Sequence, residues 1–164
     1  MTLAPLTDAP VQIQIHVIAA LISILLGPLV LYRRRRDRVH KIAGYAWIVA
    51  MLTVATSSWF ISSFAVIGPF SPIHGFALLT YWSVYSGMRH ILARRITAHQ
   101  AVLRSLYWNG LLIAGLANFL PGRAMNIVFF DGAGVLGWGV IALGGVALIM
   151  RATGVWQSRA QPAV

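Results

Sequence analysis

The sequence predicts an all-α membrane protein: a bundle of five transmembrane helices, four forming the core and one packed outside, with the N-terminus outside and the C-terminus cytoplasmic. Three observations predict it. Of 164 residues, 59% are hydrophobic and only 10% charged, and mean hydropathy is +0.76, whereas a soluble domain is about a quarter charged. Five stretches reach or approach the roughly 20 apolar residues that cross a ~30 Å hydrocarbon core as a helix. The basic residues also alternate in sidedness. Arg33, Arg34, Arg35, Arg36, Arg38, Lys41, Arg89, Arg94, Arg95, Arg104, Arg151 and Arg159 fall on one side, and Arg123 alone on the other. Such a bias marks the cytoplasmic face.

The first span covers Val11–Leu31 and ends at the arginine run 33–36. The second, Ile42–Phe64, carries no charge, and its small residues Gly44, Ala55, Ser58 and Ser62 recur with Ile48 and Met51 at helical spacing. Small residues let membrane helices approach closely. The third span opens at Ser71-Pro72, a cap followed by proline at the first helical position, and runs over 72–92. From His74, the residues Leu78, Tyr81, Tyr85 and Met88 follow on one face. Tyrosine hydroxyls in lipid need partners, so this face is expected to point inward. The fourth span, 98–120, carries Arg104, Trp108, Leu111, Gly115 and Asn118 on one stripe and stops at Pro121-Gly122-Arg123. The fifth, 133–150, is Gly-rich. Residues 1–156 form a single helical domain, and 157–164 a loose tail.

The formal charge of +10 does not indicate nucleic-acid binding. That needs a folded basic surface or a long basic arm, and here the charges sit in short loops. With no cysteine in the chain, disulfides and thiolate chemistry are excluded. No hydrolytic or phosphoryl-transfer motif is present, glutamate is absent, and the three aspartates lie outside the spans. Whether the chain is an enzyme is left open.

Ionisable residues at membrane depth are functional candidates by default. His16 lies five residues into the first span, about 8 Å below its outer end at 1.5 Å per residue. His74 opens the third span on that same side, and His40 and His99 open the second and fourth on the cytoplasmic side. Two readings compete. In one, His16 and His74 ligate a single haem iron across the bundle, with Tyr81 on the His74 face, and His40 and His99 ligate another; haem b is then the cofactor and a quinone the redox partner. In the other, each histidine is an interfacial residue bonded to backbone or headgroup. Arg123, the lone outer basic residue, needs a partner: Asp131, Asp8 or an anionic ligand.

These pieces together resemble the domain-of-unknown-function family 2306. The resemblance rests on His16 with Ala19-Ala20 and Gly27-Pro28, and on His40-Lys41-Ile42-Ala43-Gly44. It continues through His74, His99, the run 110–115 and Pro121-Gly122-Arg123. Lys41 stands where the family usually has arginine. The resemblance implies a multi-pass inner-membrane protein and supplies no reaction. Besides an intramembrane redox protein, the sequence admits an accessory or assembly subunit of a larger membrane complex, and a carrier or sensor for a small anion or lipid.

Overall fold

A computed structural model describes residues 3–61, 72–131 and 134–153, and every regular element among these residues is helical. After a single turn at Ala4–Thr7 come α1 (Val11–Leu31), α2 (Arg38–Ser58), α3 (Pro72–Leu92) and α4 (Ile96–Ser105). A π-helical stretch, Leu106–Leu112, follows directly, then α5 (Ile113–Ala117), α6 (Ala124–Phe130) and α7 (Gly134–Ala152). Three of these helices, α1, α2 and α7, are long and apolar enough to cross a membrane. The residues group into two compact units, 7–114 and 115 onward together with the first six.

Within the first unit the helices close a ring. α1 packs on α2, α2 on α3, α3 on α4 and the π stretch, and these return to α1. Thus α1 and α3 lie on one diagonal, and α2 and α4 on the other. Trp47, Met51, Leu106 and Tyr107 are buried at the centre, with Val30, Leu31, Val84, Leu103 and Leu111 around them.

Two neighbouring residues in α1 explain how this centre is built. Pro28 has no N–H, so the carbonyl four residues back, that of Ile24, loses its helical donor. The Tyr107 hydroxyl donates to Ile24 O instead, at 3.1 Å. Gly27 makes room for it, because a Cβ there would collide with Cε2 and Cδ2 of the Tyr107 ring. One turn away, the Trp47 indole donates to Ser23 O at 3.0 Å. Backbone groups freed inside a lipid-embedded helix must find such partners. At the end of α1, Arg104 donates through Nε and Nη2 to Leu31 O at 3.2 and 3.1 Å and lies over the Tyr32 ring. It thereby covers one of the carbonyls a helix terminus leaves open.

α2 begins earlier than Ile42 because Asp37 caps it: the carboxylate accepts the His40 amide at 3.0 Å and also binds Arg33. Arg38 and Lys41 therefore sit in its first turn. The helix stops at Ser58, short of the expected Phe64, and residues 62–64 lie outside the described residues. Of its expected stripe, Met51, Ala55 and Ser58 are buried, and Trp47, absent from that stripe, is fully enclosed. α3 starts at Pro72, with Ser71 outside the described residues. Its inward face differs from the expected one. His74, Ala77 and Val84 are buried, while Leu78 and Tyr85 are more than half exposed. Lipid accepts a leucine side chain as readily as a core does, so small residues are the better mark of an inward face.

The fourth span is not one continuous α-helix. The wide π turn interrupts it, and it ends at Ala117, leaving Asn118 in the turn that follows. In the second unit, Asn126 of α6 is fully buried and donates to Phe119 O at 3.0 Å. Gly137 of α7 lies directly against both, and Gly144 against Leu116. The Gly-rich fifth span thus uses Gly137 and Gly144, one heptad apart, for its closest approaches, and among the described residues a Cβ at Gly139 or Gly145 would meet nothing within 4 Å. Its first expected residue, Ala133, is outside the described residues, and the helix extends to Ala152. Helix α6, with seven residues, falls below the length of a span and carries no span signal of its own.

Candidate histidine sites

The antiparallel course of α1, α2, α3 and α4 sorts four histidines into two pairs. His16 on α1 and His74 on α3 lie at one end, on one diagonal of the ring; His40 on α2 and His99 on α4 lie at the other end, on the other diagonal. The layer of Trp47, Met51, Leu106 and Tyr107 separates them.

At the first end, both histidines lean on the last turns of α2. His16 Nδ1 is 3.0 Å from Ser57 Oγ. The Ser57 hydroxyl also lies 2.7 Å from Thr53 O and 3.1 Å from Val54 O, carbonyls that can only accept. With its proton on either of them, Ser57 meets His16 with a lone pair and His16 Nδ1 is the donor; with the proton turned to Nδ1 the roles reverse. In the first arrangement a neutral ring keeps the Nε2 lone pair, the tautomer a metal-ligating imidazole needs. His74 is 6% exposed, and its ring lies 4.9 Å from that of Trp59. Tyr81 shares a hydrogen bond of 3.0 Å with Thr56.

At the other end the same reasoning fixes His99. Its Nδ1 lies 2.8 Å from Gly87 O, an obligate acceptor, so Nδ1 carries the proton and Nε2 again keeps its lone pair. Gly87 permits this closeness, since a Cβ there would press into the Leu103 side chain. His40 is half-buried, its backbone amide is held by Asp37, and its enclosed Nδ1 has no hydrogen-bond partner among the described residues. In the connection outside the spans, the Arg33 guanidinium bound to Asp37, followed by the His40 amide, pulls the Asp37 carboxyl down to about 2.

Arg123, half-buried, immediately precedes α6, and Asp131 closes that helix in the left-handed region at φ 54°. Arg123 belongs to the second compact unit and the four histidines to the first. Among the described residues no three His, Cys, Asp or Glu side chains gather to hold a bare metal ion. The chemistry on offer is therefore pairwise imidazole donation. Sequence reasoning missed Ser57, Trp59 and the Gly87 carbonyl. The short connection between α1 and α2 carries a signal for the first two, because it sets the start of α1 against the end of α2.

The fold defines a helical integral membrane protein with ionisable residues facing inward at both ends of a four-helix ring. More particularly, the chain belongs to the DUF2306 family of predicted membrane proteins, whose profile matches residues 13–130. That match holds α1 to α6 and all four paired histidines. Among curated proteins and among solved structures, none matches the chain.

Proposed function

We propose that this is a five-span inner-membrane redox protein, N-terminus outside, whose diagonal histidine pairs hold haem b and exchange electrons with a quinone. The observation that carries the reading is His99 Nδ1, held 2.8 Å from the Gly87 carbonyl, an obligate acceptor. It donates its proton there and in a neutral ring keeps the Nε2 lone pair for a ligand, and His16 Nδ1 is held in the same way against Ser57 Oγ at 3.0 Å. Oriented imidazoles with the second nitrogen engaged are what haem and other metal ligation requires. His74 and His40 sit across the diagonals as the second ligands. Haem supplies one-electron chemistry when bound. The residues of this chain orient the ligands, exclude water through the central aromatic layer, and set the potential by burial. The five-span reading adds α3, 21 residues long, and the interrupted helix Ile96–Ala117 to the three long apolar helices. Clustered arginines between α1 and α2 and between α3 and α4 support the cytoplasmic placement of that end.

The test is an absorption spectrum of detergent-purified protein from haem-replete cells. A Soret band is expected, reduced in His16→Ala and His74→Ala, and separately in His40→Ala and His99→Ala. A folded, colourless preparation overturns the proposal. Reporter fusions at the two termini check the orientation, with a periplasmic reporter active only at the N-terminus.

A further inference from the structure

The end of the ring where α1 gives way to α2, and α3 to α4, carries an uncompensated positive charge. Arg34, Arg35, Arg36, Arg38 and Lys41 are exposed on the first connection and the opening turn of α2. Arg89, Arg94 and Arg95 are exposed on the last turn of α3 and the turn into α4. The chain has only three acidic residues, all aspartate. Asp8 precedes α1 at the opposite end of the ring, Asp131 belongs to the other unit, and Asp37 is already bound to Arg33. The cations of this end are therefore left for a partner outside the unit.

The α3–α4 turn fixes two of them in place. Arg95 N donates to His90 O at 2.8 Å and Arg94 N to Ile91 O at 3.0 Å, the paired bonds of a helix end that reverses through one left-handed residue. That residue is Arg94, at φ 58°. Glycine is the ordinary occupant of such a position, because it takes up the conformation without steric cost. The turn itself gains nothing from an arginine side chain here, so the exposed guanidinium serves something beyond the fold.

Apolar side chains at the same level select the kind of anion. Leu92, between Arg89 and Arg94, is 82% exposed, and Ile42, beside Lys41, is 70% exposed. A free phosphate or an acidic polypeptide leaves these side chains in water. A phospholipid meets the arginines with its phosphate and the apolar side chains with its acyl chains. α1 and α2, whose ends carry the first group of cations, are long and apolar enough to cross a membrane, which sets those cations at headgroup level. We infer that this end of the ring is a binding surface for the phosphate headgroups of anionic phospholipids, with Arg94 and Arg95 as a fixed point of contact. The inference uses neither haem nor the histidines, and a colourless protein leaves it standing.

The experiment places the full chain in phosphatidylcholine vesicles and measures, by electron paramagnetic resonance, the association of trace spin-labelled phosphatidylglycerol and phosphatidylcholine. Phosphatidylglycerol is expected to be preferred by at least about fivefold, the factor equivalent to the ~1 kcal/mol that one basic residue contributes at an anionic surface. Salt at about 1 M, where the Debye length is about 3 Å, is expected to shrink the preference. Arg94→Gly combined with Arg95→Gln is expected to lower it severalfold. Arg94→Gly alone is expected to keep or raise the thermal midpoint; a fall makes the arginine a structural part of the turn and overturns its assignment. Equal association of the two lipids, or an unchanged preference in the double variant, overturns the inference. So does an equal loss in Arg123→Gln, whose charge belongs to the other unit, because net charge alone would then explain the preference. Displacement of the labelled lipid by inorganic phosphate or by polyglutamate assigns the surface to a soluble anion and overturns the lipid reading.

Discussion

Replacing Gly27 by alanine tests how the centre of the ring is held. The added methyl falls inside the van der Waals envelope of Cε2 and Cδ2 of Tyr107, with Cζ at 3.0 Å. The ring has little freedom to retreat. It is 4% exposed, its hydroxyl is tied to Ile24 O, and its far side meets Trp108 edge-on with centroids 5.6 Å apart. Overpacking of this kind costs about 1–3 kcal/mol, and the depth of this overlap belongs at the upper end. Tilting the ring also forfeits the hydroxyl bond, worth about 0.6 kcal/mol for a typical membrane pair. Against this, alanine is favoured over glycine in a helix by about 1 kcal/mol. The balance is a loss of about 2.5 kcal/mol. Denaturant titration in mixed micelles, followed by tryptophan fluorescence, measures it. In a Tyr107→Ala background the same substitution should become neutral or stabilising, so the double-mutant cycle isolates the contact. Gly27→Ala as stable as the natural chain would refute the packing account outright.

Other expectations follow from the helix ends. Asp37, held down to about 2 from an ordinary 3.8, contributes to the start of α2 fully above pH 4, and the contribution fades as pH falls towards 2. A carboxyl carbon NMR titration should find that low midpoint, and Arg33→Gln should move it upward; an unchanged midpoint would remove Arg33 as its main cause. Arg104→Ala leaves Leu31 O without either guanidinium donor, at a cost of about 1 kcal/mol. Hydrogen exchange should then quicken in the last turn of α1 and leave its first turns unaffected. Tyr107→Phe removes only the hydroxyl donor that replaces the missing Pro28 N–H, and should cost about 0.6 kcal/mol in the same micelle titration.

Much of this architecture was legible before any coordinates. Span length and the arginine run located α1 closely, and Pro72 marked the first residue of α3. What escaped was which side of each helix faces its neighbours. In water, burial and hydrophobicity agree; in lipid, an apolar residue is at home on either face. Leu78 and Tyr85 looked inward on pattern alone yet face out, while Ala77 and Gly87, which carry little hydrophobic signal, sit at the interface. Trp47 escaped the stripe of small residues on α2 because its place depends on the Ser23 carbonyl across the helix pair. The candidate sites were legible as a sorting of histidines by side. Their diagonal arrangement depends on the order in which helices pack, and their tautomers on Ser57 and the Gly87 carbonyl, neither of which spacing within one helix reveals.

The π stretch at Leu106–Leu112 has a consequence for insertions and deletions. A wide turn accommodates an extra residue, and each residue of an ordinary helix advances the chain by about 100° about its axis. Removing a single amino acid from this stretch would restore regular winding and turn everything beyond it by roughly that angle. Leu103 would keep its neighbours on Gly87, but Leu111 would swing out of the core. The number of residues here, as much as their identity, sets the phase between the two halves of the helix.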